Sequence, residues 1–247
     1  MSSSERFAGK VVLVTGSSSG IGEEIARWFD AEGANVIVNS SSSVEAGEAV
    51  AASLQNATYF QSEVSTEAAA RVLVAQTLDT YGQLDVLVNN AGRTQFIPHQ
   101  DLEAANLDVW KSIFDVNVFG TWAMTVAAAE ALKATTGCVV NITSIAGLRP
   151  TGSSIPYASS KAAINHMTVL LAKALGPDIR VNAVAPGLVD TPWTQDWESV
   201  REFVRGVAPM RRTATPADVA QMTLALAENT MMTGQIITVD GGLTLAT

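Results

Sequence analysis

The chain has 247 residues, 47% of them hydrophobic and 16% charged, with a formal net charge of −9. This is the composition of a soluble globular protein with ample material for a core, and its negative charge argues against nucleic acid or an anionic membrane surface as the main partner. The single cysteine, Cys138, cannot close an internal disulfide, and no apolar run is long enough to span a bilayer, so a cytoplasmic protein acting on small molecules is expected. The first ten residues contain no apolar signal core.

Lys10 to Thr15 is a β-branched run suited to a strand buried on both faces. It leads into Gly16-Ser17-Ser18-Ser19-Gly20-Ile21-Gly22, after which Glu23 to Glu32 sets Ile25, Trp28 and Phe29 at helical spacing. Glycines in such a strand-to-helix turn let the backbone approach a ligand closely. Free N–H groups at the helix start then meet negative charge, which is the geometry a dinucleotide's phosphates need.

A second strand, Asn35 to Asn39, ends where the adenosine ribose would lie. An acidic residue there would accept from the ribose hydroxyls and repel a 2′-phosphate, but the chain reads Asn39, Ser40, Ser41, Ser42, Ser43. No lysine or arginine lies between Arg27 and Arg71, so serine hydroxyls and backbone amides would have to hold that phosphate. On this basis NADP is favoured over NAD.

The pattern continues with a helix over Ala46 to Leu54, a strand over Ala57 to Gln61, a helix over Glu67 to Thr80 and a strand over Leu84 to Val88. Asn89-Asn90-Ala91-Gly92 follows, either passing close to a flat ligand or forming an ordinary Asn-Gly turn. Asp108 to Lys133 reads as one long helix with apolar residues in nearly every direction, as expected if its own sheet covers one side and a second copy of the chain another. Asn117 is its polar exception, and a lone buried asparagine ordinarily satisfies a backbone group.

A strand from Gly137 to Thr143 delivers Ser144, a helix covers Ile155 to Leu175, and a strand covers Ile179 to Val184 before Pro186-Gly187. A helix over Ala217 to Glu228 and a strand over Gln235 to Val239 complete one doubly wound α/β domain spanning 1–247, with a parallel sheet of about seven strands flanked by helices on both faces. Its ligands should sit at the carboxyl ends of the strands.

Residues 190–210 carry Trp193, Trp197, Arg201 and Arg205, with Arg211 and Arg212 just beyond. The segment reads either as a substrate lid or as a surface helix packed by its tryptophans. Its arginines suggest an anionic thioester carrier, a partner that the overall negative charge would repel. His99 and His166 have no acid or cysteine at metal-ligand spacing, and no metal site is expected. The apolar tail from Gly241 suits a subunit contact.

Tyr157 and Lys161 are four residues apart, and a helix opening at Ile155 and Pro156 puts them on one face, a turn apart. An ammonium beside a phenol favours phenolate, drawing the tyrosine toward neutral pH for proton exchange with an alcohol or ketone; Ser144 would hold the substrate oxygen.

With Thr15-Gly16-x-x-x-Gly20-x-Gly22, Asn89-Asn90-Ala91-Gly92, Asn117, Ser144, Tyr157-x-x-x-Lys161, Pro186-Gly187 and Thr191 in this order, the chain resembles the short-chain dehydrogenase/reductases from about residue 7 to 242. It is most similar to their single-domain branch, which includes 3-oxoacyl-carrier-protein reductases and sugar and hydroxysteroid dehydrogenases. The resemblance implies a Rossmann-type fold and hydride transfer between a nicotinamide cofactor and a ketone or secondary alcohol. It also implies a homo-oligomer, a dimer of dimers.

Carried over by residue, Tyr157 is the general acid/base, and Lys161 lowers its pKa and holds the nicotinamide ribose. Ser144 bonds the carbonyl, and Asn117 positions a water that links Lys161 to solvent. Gly16, Ser18, Ser19, Gly20, Ile21, Gly22, Asn39, Ser40, Ser41, Glu63, Val64, Asn90, Ala91, Gly92, Pro186, Gly187, Val189 and Thr191 are expected to contact the cofactor. Two positions depart from the family pattern: Glu63 replaces a common aspartate near the adenine, and Ser19 a residue often basic in NADP enzymes. A non-catalytic nucleotide sensor on the same fold would be expected to have lost one of the four catalytic residues, and none is lost.

Overall fold

The computed structural model describes residues 5–246; Met1 to Ser4 and Thr247 lie outside them. Seven parallel strands form one sheet: β1 (Val11–Val14), β2 (Asn35–Ser40), β3 (Ala57–Gln61), β4 (Val86–Asn89), β5 (Cys138–Ile142), β6 (Arg180–Pro186) and β7 (Ile236–Val239). Their spatial order is β3-β2-β1-β4-β5-β6-β7, so the winding reverses between β1 and β4. A crevice opens at the carboxyl ends of the strands at such a reversal.

The strands are apolar on both faces because helices cover both. Val12, Val14, Val36, Val38, Val86 and Val88 face one side, where α1 (Gly20–Ala31) supplies Ile25 and Phe29. Their neighbours Val11, Leu13, Ile37, Leu87 and Val139 face the other. α2 (Val44–Ser53) joins α1 on the first face through Val50 and Ala51, while α3 (Glu67–Tyr81) packs on the second with Leu73 and Val74. The period of two along each strand therefore builds two cores, one on each face.

The expected single helix over 108–133 is divided. A regular helix, α4 (Leu107–Phe114), passes into one wider π-helical turn over Asp115–Gly120, and α5 (Thr121–Thr135) continues from it. An extra residue per turn leaves no mark on apolar periodicity this dense, which is why the sequence pattern reads straight through it. Asn117 lies in the π-helical turn, fully buried.

The remaining helices are α6 (Ile155–Leu175), α7 (Glu198–Val207), α8 (Pro216–Glu228) and the short α9 (Leu243–Ala246). α6 starts at Ile155, as the sequence predicts. Ser154 caps it by accepting from the Tyr157 amide, and Pro156 supplies a preset φ in the first turn. No helix among the described residues is long and apolar enough to cross a membrane.

Candidate active site

Two cavities open at the carboxyl edge of the sheet. The first, of about 370 Å³, runs from the Gly16–Gly22 turn past the end of β2 to Tyr157 and Lys161. The second, of about 220 Å³, lies between Ser144, the Pro186–Thr191 stretch and α7. Ile21, Thr143, Tyr157, Thr191 and Trp193 line both, so the phenol of Tyr157 sits where the two meet.

The glycine turn is built by steric necessity. Gly16 has φ +62°, and a Cβ there would lie 2.8 Å from the Ala91 Cα. Asn90 fastens the turn to the end of β4: its Nδ2 donates to the carbonyls of Thr15 and Gly16, and Thr15 Oγ1 accepts from the amides of Asn90 and Ala91. The Asn90 side chain therefore works inside the protein, holding the wall of the groove. Gly20 also has a left-handed φ, +60°, and a Cβ there would project toward Thr191 across the groove. A turn pared down this way, opening into the N-terminus of a 12-residue helix, fits a dinucleotide's phosphates.

Tyr157 leaves the first turn of α6, half-buried, with its hydroxyl in a hydrogen bond with Ser144. Ser144 follows β5 and Thr143 and accepts from the Ala146 amide. One turn beyond Tyr157, Lys161 is buried; its Nζ donates to the Ile142 carbonyl at 2.9 Å and lies 5.7 Å from the Tyr157 ring centre.

The sequence suggested that the ammonium would lower the phenol's pKa. Instead, burial pushes Tyr157 up to about 12 and Lys161 down to about 8. Burial penalises both charged forms, and the Ser144 hydrogen bond offsets only part of the effect on Tyr157.

Asn117 completes the cluster as a clamp. Its Oδ1 accepts from the Arg93 amide at 2.7 Å, while its Nδ2 donates to the Arg93 carbonyl and to Ser160 Oγ. Ser160 in turn donates to the Tyr157 carbonyl. The amide thus joins the loop after β4 to the helix carrying Tyr157 and Lys161, with little capacity left over for a water.

Gly16, Ser18, Ser19, Gly20, Ile21, Gly22, Asn39, Ser40, Ser41, Glu63, Val64, Asn90, Ala91, Gly92, Tyr157, Lys161 and Thr191 all line the first cavity. Pro186, Gly187 and Val189 line the second. Ser144 also faces the second cavity, while Asn117 lies behind both walls.

At the end of β2 the side chains are less available than the sequence implied. Asn39 Oδ1 accepts from the Gly16 amide, and its Nδ2 donates to the carbonyls of Phe60 and Ser62. Ser40 Oγ bonds the Ser43 carbonyl and the Tyr59 hydroxyl. Ser41 and the uncapped N-terminus of α2 at Ser43 remain open toward the groove.

Sequence reasoning missed Ser62, Arg93, Val116, Ile142, Thr143 and Pro192 in the first cavity. Each is the immediate neighbour, or next but one, of a residue it did identify, and that adjacency was the available signal.

The arginines near residue 200 are not a free basic patch. Arg201 is buried, with Nε 2.8 Å from Asp190 and its other nitrogens on the carbonyls of Gln195 and Thr194. Burial works to raise the Asp190 carboxyl, but hydrogen bonds from Thr213 and Arg201 outweigh it and hold the group below its ordinary value. Arg205 pairs with Glu198, and Arg212 with Asp218. The charge that suggested an acidic carrier is largely neutralised within the chain.

The family described as enoyl-(acyl carrier protein) reductase matches residues 16–244. The chain is 55% identical over 236 residues to ketoacyl reductase 2 of the granaticin polyketide synthase of Streptomyces violaceoruber, covering 94% of this chain and 95% of the relative. A solved short-chain dehydrogenase/reductase from Burkholderia xenovorans superposes with a TM-score of 0.90 at 35% identity, over 96% of this chain and 98% of that one. The structure titled ElxO with NADP bound gives 0.88 at 29% identity, over 96% and 99%. Glycine turn, Ser144, Tyr157 and Lys161 meet at one sheet edge within this shared architecture, and the chain is an oxidoreductase of the short-chain dehydrogenase/reductase family.

Proposed function

We propose that the protein reduces a ketone to a secondary alcohol with NADPH, acting as a carbonyl or 3-oxoacyl thioester reductase. The observation that carries this reading is the place of Tyr157 between a glycine-walled groove and a second, largely apolar cavity, with Ser144 beside its hydroxyl. The nicotinamide cofactor supplies the hydride when bound. Ser144 and Tyr157 hold the carbonyl oxygen, Tyr157 gives it a proton, and Lys161 stabilises the phenolate that results and holds the nicotinamide ribose. Asn117 positions the Arg93 loop and Ser160. Thr191 and the Val189 backbone contact the carboxamide end of the cofactor.

The preference for NADP rests on the absence of a carboxylate at the end of β2 and on the open Ser41 and Ser43, beside the N-terminus of α2. The NADP-bound structure of a relative agrees with it, and the ketoacyl reductase relative supports reduction rather than oxidation. The direct test is oxidation of NADPH and NADH on a ketone panel. NADPH should bind more tightly and turn over; silence on every ketone, with the dinucleotide bound, would refute the reading.

The pH dependence follows from the buried pair. Tyr157 keeps its proton until about pH 12, whereas Lys161 loses its charge near 8. For reduction, kcat/KM should be level below about pH 8 and fall above it, because that ratio reports the groups of the free enzyme. A profile that rises through this range would contradict the roles assigned here.

Stability moves the other way. Holding Lys161 charged in the folded state carries a penalty below its folded pKa of about 8, which is relieved as pH rises toward the unfolded value of 10.5.

We read the chain as a single cytoplasmic domain, with 190–210 as its lid, assembling as a dimer of dimers. Phe119 and Trp122, 53% and 47% exposed, stand out along the helix that includes α5, with Val126 beyond them and Val169 and Leu170 exposed on α6. Exposed apolar surface of this kind marks a contact face. Trp122→Glu should convert the assembly to smaller species in light scattering; an unchanged mass would exclude this face.

A further inference from the structure

We infer that the second cavity selects a ketone carried on a flat, uncharged ring body, aromatic or fused, over a linear acyl chain or a polyhydroxylated sugar. The inference rests on the ketone-reduction reading and narrows its substrate.

Four aromatic rings line this cavity beside Ser144 and Tyr157: Phe96 from the loop after β4, Trp193 and Trp197 from the segment before α7, and Phe203 from α7 itself. Phe96 and Trp197 meet edge to face, centres 5.8 Å apart at 63°, joining the loop to that segment across the cavity mouth. Phe96, Trp193 and Phe203 nevertheless remain 60%, 51% and 54% exposed, so their surfaces are not spent on the protein's own core. Rings so placed offer faces and edges to another ring. The deeper wall is aliphatic, with Ile145, Leu188 and Val204.

The polar groups point the same way. Among the described residues, no lysine, arginine, histidine, aspartate or glutamate lines the cavity. A substrate carboxylate or phosphate would therefore enter unpaired.

Half of the hydroxyls that line the cavity are committed within the protein. Thr94 and Ser153 bond one another, Thr143 donates to the Val184 carbonyl, and Thr194 donates to the Val189 carbonyl. Of the hydroxyls that remain, on Ser144, Thr151, Tyr157 and Thr191, Ser144 and Tyr157 are bonded to one another and make one concentrated polar spot, enough for one carbonyl oxygen. A sugar would bury several hydroxyls against rings and aliphatic side chains.

The experiment compares three probes with NADPH: 2-tetralone, a linear 3-oxooctanoyl thioester of N-acetylcysteamine, and fructose. The expected order of kcat/KM is tetralone first, with a lead of about tenfold or more over the thioester, and no turnover of fructose. Phe96→Leu and Phe203→Leu keep the apolar contact but remove the ring, at sites exposed enough for the fold to tolerate the change. Each should reduce the tetralone-to-thioester ratio about three- to tenfold.

A thioester or fructose preference, or a ratio that neither variant moves, overturns the inference while leaving ketone reduction standing. Failure to reduce any ketone, with NADPH bound, overturns both.

Discussion

Tyr157→Phe is expected to lower turnover by about 10²–10⁴-fold, the usual weight of general acid–base catalysis, while NADPH binding and the melting temperature change little. The size of the effect follows from the surroundings of the phenol. No other titratable side chain among the described residues lines the second cavity, so nothing else there can deliver a proton to a substrate oxygen. Ser144 can orient that oxygen but holds its own proton too tightly to take over, and the Lys161 ammonium lies a helical turn away on the Ile142 carbonyl. Phenylalanine fills the same space and loses only the hydrogen bond to Ser144. Stopped-flow measurement of NADPH oxidation, paired with a dinucleotide titration, checks both halves. Turnover within tenfold of the parent would remove Tyr157 from the chemistry.

Gly22→Ala should be the most damaging small substitution in the first cavity. A methyl group at this position would sit 2.4 Å from both the Gly16 carbonyl oxygen and Asn90 Nδ2, and 2.9 Å from the Ser17 Cα. Two of these three neighbours are backbone atoms of the phosphate-facing turn, and the third is the amide that fastens that turn to β4. Nothing flexible can yield, so the turn itself must move. Overpacking of this kind costs about 1–3 kcal/mol of stability. Loss of one hydrogen bond to a charged group, ~1.5–3 kcal/mol, corresponds to at least a tenfold weaker dinucleotide.

Gly206→Ala is the natural control. It lies in α7 with no atom within 4 Å of the added methyl, and alanine there should be neutral or stabilising by about 0.4–1 kcal/mol. Thermal melts and dinucleotide titrations of the two variants read the contrast directly; equal behaviour would mean that the turn is not held as described.

Much of the fold was legible because a doubly wound sheet writes itself into local pattern. Val11–Val14 is a β-branched run between a loop and a helical repeat, and Ile155 with Pro156 marks the start of α6 to the residue. The meeting of the candidate site residues was legible for a related reason: parallel strands deliver Gly16, Gly92, Ser144 and Gly187 to one edge wherever they lie in the chain.

What stayed hidden depends on where side chains point after packing. Asn39 and Ser40 are short polar residues at the expected place, yet both turn inward to bind backbone and Tyr59. Arg201 reads as surface charge until Asp190, eleven residues upstream, is seen to receive it. The opposed shifts of Tyr157 and Lys161 come from burial, which a spacing of four residues cannot report. The π-helical turn around Asn117 is likewise a fact about backbone winding with no compositional trace.

The wall shared by the two cavities has a thermodynamic consequence. Because Ile21, Thr143, Tyr157, Thr191 and Trp193 face both spaces, a molecule seated in either one sets the shape of the other. Coupling of that kind is reciprocal: whatever factor a bound dinucleotide adds to the affinity for a ketone analogue, the analogue must return to the dinucleotide. The sign of that factor is fixed by how the five shared side chains sit when one space is filled, so a change in any of them shifts both affinities together.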